Sequence, residues 1–328
     1  MKGLLVKTAI GLGLLCAAPA LISAQASAQA WQPTRSIKMI CPFPAGGGTD
    51  LIARLAAKGL SDRLGQQVYV ENRGGANGAI GVQALMQAEP DGYTIGAISD
   101  GPMIVNPALY PNNPYQPLRD FIGVGQMIKF PSLLVANPAT GIKTVADMIK
   151  AAKDKPGAMN FSSGGIGNFS HMGLELLAIQ AGIKLTHVPY RGVGPATTAV
   201  LGGEVQLMYN NVATAIEQVR GGKLNALGVG EPKRIEGLPN IPAIAETVPG
   251  FEMAAWVGIF VPAKTPQPIV DRLTKEIVAF LDDPETKKYF QQQFIVAAYK
   301  NPEQFQQYIK VELGRWADVV KTAGIKGE

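Results

Sequence analysis

Cys41-Pro42-Phe43-Pro44-Ala45-Gly46-Gly47-Gly48-Thr49-Asp50 joins two kinds of periodicity. Before it, Ile37-Lys38-Met39-Ile40-Cys41 alternates as a strand does. After it, Leu51, Ile52, Leu55, Leu60 and Leu64 fall on one side of a helix. The stretch is therefore a strand–loop–helix junction. Prolines set the exit direction of the loop, and three glycines strip the Cβ atoms from one wall, so that a guest can approach bare backbone. Thr49 or Asp50 can cap the helix, whose free N–H groups suit an anion. A plain βα turn has the same local grammar, so the rest of the chain has to decide.

The grammar recurs. Val68–Asn72 reads as a strand, followed by the glycine-rich Gly74-Gly75-Ala76-Asn77-Gly78 and a helix from about Ile80 to Ala88. Thr94–Ser99 is a further strand, and the prolines from Pro107 to Pro117 mark a long surface loop. Two strand-like runs flank Phe130-Pro131, where the chain is expected to cross into a second unit. There the pattern repeats: strand Ala158–Ser162, loop Ser163-Gly164-Gly165-Ile166-Gly167-Asn168, helix Phe169–Gln180; strand Leu185–Tyr190, loop Arg191–Pro195, helix Ala196–Leu201; strand Val205–Tyr209, exit Asn210-Asn211, helix Ala213–Val219. Trp256–Val261 reads as a return strand, and Pro302–Thr322 as a long amphipathic helix. Alternation of this kind gives an α/β fold in which the strand exits line one edge, where ligands bind. Two crossings make a hinge, and two lobes face each other across a cleft. The expected limits are 31–130 plus 256–328 for the first lobe and 131–255 for the second.

At 328 residues the chain exceeds one ordinary core. Hydrophobic residues at 47% and charged residues at 17% exclude a disordered chain. The net charge of +5 is spread without a Lys/Arg block, which leaves no nucleic-acid footprint. Residues 1–30 read as a secretory signal: Lys2 and Lys7 precede an apolar run from Ala9 to Ile22, and Ala28-Gln29-Ala30 offers cleavage before Trp31. Leu15 before Cys16 argues against lipidation. The mature chain then keeps one cysteine, Cys41, which makes no internal disulfide and suits a buried apolar role. No later stretch is apolar for long enough to span a bilayer. The expected product is an exported protein of the periplasm, not embedded in the membrane.

Catalytic sets are scarce. The two histidines, His171 and His187, have no acidic or cysteine companions at zinc-ligand spacing, so no metal is expected. Ser170-His171 lacks a G-x-S-x-G elbow. Gly165-Ile166-Gly167-Asn168-Phe169-Ser170 imitates a dinucleotide fingerprint, but the following strand ends in Tyr190-Arg191 where a ribose-binding acid would stand. No cofactor is expected. His171 would donate hydrogen bonds at the cleft from a helix start, and His187 would be structural. Aromatic residues at strand ends, together with Ser99, Ser162, Ser163, Asn168, Asn210 and Asn211, suit an apolar-walled pocket with a few fixed polar groups.

The segments Pro42–Asp50, Glu71-Asn72-Arg73-Gly74-Gly75-Ala76-Asn77-Gly78, Asp91-Gly92-Tyr93-Thr94, Ser162–Gly167, Val188-Pro189-Tyr190-Arg191-Gly192 and Leu238-Pro239-Asn240-Ile241-Pro242 resemble, in order and spacing, the Bug-type receptors of tripartite tricarboxylate transporters. The resemblance implies a two-lobed periplasmic-binding-protein (Venus flytrap) fold. It also implies a monomer that closes on a small carboxylate and delivers it to a membrane permease. Carried over by position, Phe43, Ala45, Gly46, Gly47, Thr49 and Asp50 would line the first lobe with Asn77 and Ser99. Ser162, Ser163, Ile166, Gly167, Asn168 and His171 would line the second, joined by Tyr190, Arg191, Ala196 and Asn210. Relatives commonly carry serine at Asn168 and often an acid at Asn210 or Asn211. The missing acid removes a partner for a ligand ammonium, which favours a plain mono- or dicarboxylate. A secreted enzyme and a nucleotide-binding protein are the competing expectations.

Overall fold

The computed structural model describes residues 31–327, so the expected signal segment and its cleavage site lie outside the described residues. The chain runs β1 (Ile37–Cys41), α1 (Gly48–Leu64), β2 (Val68–Asn72), α2 (Ala79–Met86), β3 (Thr94–Ser99), α3 (Asn106–Leu109), α4 (Pro117–Asp120), β4 (Phe121–Phe130) and β5 (Ser132–Ala136). It continues through α5 (Val145–Asp154), β6 (Asn160–Ser163), α6 (Phe169–Ala181), β7 (Thr186–Pro189), α7 (Val193–Gly202), β8 (Leu207–Asn211), α8 (Val212–Arg220) and β9 (Asn225–Val229). It closes with β10 (Ala255–Pro262), α9 (Gln267–Asp282), α10 (Pro284–Gln292), β11 (Val296–Lys300) and α11 (Pro302–Ala323).

The strands form two sheets, ordered β11-β4-β10-β3-β1-β2 and β7-β6-β8-β5-β9. Each is mixed. β2, β1 and β3 run parallel, and β10 is antiparallel to both β3 and β4. In the second sheet β7, β6 and β8 run parallel, and β5 is antiparallel to β8 and β9. The parallel part of each sheet carries the glycine-rich exits. The two-lobed α/β architecture expected from the alternation is present.

Amphipathic pattern places the helices. Ile52, Ala53, Ala56, Leu60 and Leu64 of α1 are buried against Ile37, Met39 and Cys41 of β1 and against Leu273, Ile277 and Phe280 of α9. Each fully buried Leu or Ile contributes roughly 1.5–3 kcal/mol relative to exposure. Cys41 is a free, buried thiol, and burial pushes it up to about 11, as befits its place in this layer.

The surface loop expected at 107–117 is present over 110–116, which is irregular and largely exposed, but the structure corrects its start. Gly101–Val105 is a π-helical turn that runs straight into α3, and Leu109 and Tyr115 are buried. Pro107 stands in the first turn of α3, where its missing N–H costs nothing. Packing of Met103, Ile104, Val105 and Tyr115 into the core overrides the local proline signal.

The chain passes between sheets at Phe130-Pro131-Ser132 and again between Val229 and Ala255. The two passages are laced together. Gly230 N–H donates to Ser132 O at 3.2 Å, and Met253 N–H donates to Gly230 O at 3.0 Å. The Met253 carbonyl accepts from Ser132 Oγ at 2.6 Å and from Tyr209 Oη at 2.9 Å. Helix α11 packs on β4, α3 and α6 and sends Arg315 Nη2 to the Glu252 carbonyl at 2.7 Å, so it braces the same crossing.

Candidate functional site

Glycine-rich exits from both sheets converge between the lobes. Gly47 is the N-cap of α1 and makes no side-chain cap, which corrects the expectation that Thr49 or Asp50 would do so. Asp50 instead turns back beneath the loop. Its Oδ2 accepts from Gly46 N–H and Arg54 Nε, both at 3.0 Å, and its Oδ1 accepts from Asn72 Nδ2 at 2.8 Å. Burial would raise the Asp50 carboxyl; the hydrogen bonds from Arg54, Gly46 and Asn72 outweigh it and hold the group below its ordinary range. Asp50 is thus a buried brace of the loop. Asn72 also holds the Phe43 carbonyl at 2.9 Å.

With the loop braced from below, Ala45, Gly46 and Gly47 are exposed, and Phe43 and Thr49 are half-buried. Gly46 has φ +89°, a region that admits glycine readily and other residues at a cost. The first intrahelical bond is Leu51 N–H to Gly47 O, so the N–H groups of Gly48, Thr49 and Asp50 have no backbone acceptor. They carry the partial positive charge of a helix start.

The second lobe is built from hydrogen bonds inside its own loop. Asn168 caps α6, accepting from Ser170 N–H at 3.0 Å and Ser170 Oγ at 2.8 Å, while Ser170 Oγ accepts from Gly164 N–H. Ser163 is wholly buried. Its hydroxyl lies 2.5 Å from His187 Nε2 and accepts from Gly165 N–H at 3.1 Å. His171 Nδ1 accepts from Gly167 N–H at 3.1 Å. That corrects the expectation of a donor at the cleft: the third position of α6 turns the ring inward, onto His187 and Phe161. Burial first, and His171 second, push His187 down to about 3, so the ring is neutral at physiological pH. Among the described residues, the N–H groups of Ile166 and Phe169 in this loop have no acceptor.

Ser162 Oγ donates to the Ala196 carbonyl at 2.9 Å, and both residues are buried beneath the second sheet. Tyr190 Oη reaches Glu204, and Arg191 is exposed without a partner among the described residues. Ser99 is buried at the end of β3.

Besides the packing of α11 on α6, the lobes meet at the strand exits in two places among the described residues. A Cβ built on Gly167 would lie 3.0 Å from Asn77 Nδ2, and one built on Gly101 would lie 3.4 Å from the Gly167 carbonyl oxygen. Asn77 is anchored to Asn106 Oδ1 at 2.9 Å. The other contact is Gly48 against Phe130 and Asn211. Phe169 touches apolar clusters of both sheets and lies 5.3 Å from the Tyr209 ring. Sequence reading singled out Asn210, whose carboxamide is consumed internally by Thr197, Thr214 and the Asn211 N–H. Asn211, one position on, is the amide that faces the first lobe.

The arrangement presents backbone donors, small polar groups and aromatic walls. It offers no accessible nucleophile beside the histidine pair, because Ser163 is sealed beneath its loop. Among the described residues no His/Cys/Asp/Glu group is placed to hold a metal ion, and no helix is long and apolar enough to cross a membrane.

Residues 52–325 match the model of the tripartite tricarboxylate transporter family receptor. Three solved structures are similar over nearly their whole length. Rpa4515 from R. palustris with adipate is 32% identical, with a TM-score of 0.84 over 90% of this chain and 99% of that one. The periplasmic binding protein BugD is 33% identical, with a TM-score of 0.81 over 90% and 100%. MatC (Rpa3494) from Rhodopseudomonas palustris with bound malate is 30% identical, with a TM-score of 0.80 over 88% and 99%.

Proposed function

The chain belongs to the tripartite tricarboxylate transporter receptor family, and on that premise we propose that it captures a small mono- or dicarboxylate between its lobes and delivers it to a membrane permease. The observation that carries the proposal is a pair of glycine-rich strand exits, 43–50 and 163–169, one in each lobe. Gly48 reaches Asn211 and Gly167 reaches Asn77 across the lobes, and each exit has N–H groups without a protein acceptor among the described residues and no cationic side chain. Helix starts are worth roughly 0.3–1 kcal/mol to an exposed anion and up to about 2 when partly buried. Charge-assisted hydrogen bonds add roughly 1.5–3 kcal/mol each. Several such contacts reach micromolar affinity, about −8 kcal/mol, after the cost of closing the lobes. Adipate and malate in the two similar structures support the ligand class.

In this reading the protein is a periplasmic monomer without cofactor or catalytic activity, cleaved after Ala30. The first lobe comprises 31–130 and 256–328, and the second 131–255. The two-sheet partition of the strands supports those limits. A thermal-shift screen over aliphatic and aromatic mono-, di- and tricarboxylates tests the proposal, with the best ligand recovered and analysed after incubation. Stabilisation by an unchanged carboxylate is expected. Conversion of the ligand would make the protein an enzyme, and no shift with any carboxylate would remove the proposed ligand class.

A further inference from the structure

The two side-chain amides at the end of β8 are used very unequally. Asn210 has both ends of its carboxamide occupied: Nδ2 donates to Thr197 Oγ1 at 3.2 Å, and Oδ1 accepts from Thr214 Oγ1 at 2.7 Å and from Asn211 N–H at 2.8 Å. Asn211 has neither end occupied. Its Oδ1 is closed off from solvent without a partner, and its Nδ2 donates to nothing among the described residues. Although Asn211 is the N-cap of α8, its side chain makes no capping bond. Strand parity is the cause. Asn210 points with Met208 toward α7, whereas Asn211 points the other way, toward Gly48 of the first lobe.

A Cβ on Gly48 would lie 3.6 Å from Asn211 Nδ2 and 3.3 Å from the Phe130 ring. The free carboxamide therefore stands against the residue at which the unpartnered N–H groups of α1 begin. An enclosed acceptor without a donor is destabilising, and a guest in the cleft can supply what the fold does not.

We propose that Asn211 is a specificity-determining residue that reads a hydroxyl on the ligand, so that the receptor favours carboxylates bearing a hydroxyl close to the carboxyl group over their unsubstituted counterparts. The inference rests on the carboxylate-receptor reading and deepens it. A carboxamide offers an acceptor and a donor side by side, and a hydroxyl answers both. A carboxylate only accepts and leaves Oδ1 unmet. An ammonium donates, but the nearby acid, Asp50, is already bonded to Arg54, Asn72 and Gly46 N–H. Because the carboxylate donors start at Gly48, the two ligand groups must be near neighbours, as in a 2-hydroxy acid.

The experiment is a calorimetric titration of wild type and Asn211→Ala with matched series: succinate, malate and aspartate, then adipate, 2-hydroxyadipate and 2-aminoadipate. Truncating Asn211 removes no hydrogen bond of the fold, and thermal unfolding checks that it stays folded. In wild type the hydroxylated member should bind tighter than the unsubstituted one by about tenfold or more, as expected for a site built to pair a hydroxyl. In Asn211→Ala that ratio should fall to about one. A ratio near one in wild type, a ratio that survives in Asn211→Ala, or preference for the amino member overturns the inference while leaving a carboxylate receptor in place. Absence of binding by every member of both series overturns the receptor reading with it.

Discussion

His171 and His187 stack face to face, with ring centroids 3.7 Å apart and planes 14° from parallel. Beneath the second-lobe loop, one ring takes Gly167 N–H and the other meets the Ser163 hydroxyl. The pair therefore shapes the loop without touching the cleft, and His171 must keep Nδ1 free of a proton. His171→Phe preserves a flat ring but leaves Gly167 N–H buried and unpaired, at about 1–3 kcal/mol. His171→Asn restores an acceptor near the Nδ1 position. Titration of the ligand found in the screen should show His171→Phe weakened by about tenfold, about 1.4 kcal/mol, and His171→Asn closer to wild type. Equal affinity of wild type and His171→Phe would show that the loop holds its shape without this bond.

Asp100, at the exit of β3, is fully enclosed, and burial pushes its carboxyl up to about 7, with Glu312 adding to the rise. A raised carboxyl binds more protons in the folded state than in the unfolded one between about pH 4 and 7, so its contribution to stability falls as pH rises through that window. With 1.36 kcal/mol per pKa unit the ceiling is roughly 4 kcal/mol. Asp100→Asn should flatten the pH dependence of urea unfolding between about pH 4 and 7 and should gain most over wild type above 7. His187 works in the opposite sense. Its lowered value makes folding less favourable as pH falls from its unfolded value toward about 3. The two slopes partly cancel in wild type, and a variant unchanged in slope would place the titration elsewhere.

Gly46 and Gly47 are adjacent and should respond differently. Gly47 has φ −85°, with only the Pro44 carbonyl oxygen, at 4.0 Å, near a Cβ there. Gly47→Val should fold as wild type while placing a branched side chain at the start of α1, weakening carboxylate binding by at least about tenfold. Gly46 has φ +89°, so Gly46→Ala should lower stability by roughly 1 kcal/mol through backbone strain. Chemical denaturation beside titration separates the two effects. Full affinity in Gly47→Val would move the anion away from this helix start.

A side chain at Gly230 would meet Tyr209 Oη, Ser132 Oγ and the Met253 carbonyl, the atoms that lace the two crossings together. Gly230→Ala should therefore cost about 1–3 kcal/mol or more. Its Tm should drop well below that of Gly194→Ala, a helical position with open space around its Cβ. Similar melting of the two variants would mean that the crossing relaxes freely.

Much of this was legible before any coordinates. Strand, glycine loop and helix follow one another at β1–α1 and β6–α6 because period and breaker residues are local signals. The segment after Ser99 was not legible. Its π-helical turn and α3 exist because Met103, Val105 and Leu109 have a core to enter, and no local rule sees that core. The same limit separated Asn210 from Asn211: adjacent residues of identical chemistry exchange roles with the parity of β8, which only the pairing register decides. For His171 the helix was clear, but its rotational phase, set by packing on Phe161, was not.

β10 lies between β3 and β4 in the first sheet, although it follows them by more than a hundred residues of chain. A chain emerging from its N-terminus therefore holds β3 and β4 as open edges until residue 262 has appeared. The second sheet, drawn wholly from 132–229, can close earlier. Long-range closure of this kind is slow. In a refolding experiment with pulsed hydrogen exchange, amides of β5 and β8 should gain protection before those of β3 and β10, and the reverse order would mean that the interrupted sheet assembles first. Until its last strand arrives, the half that begins the polypeptide depends on the half that ends it.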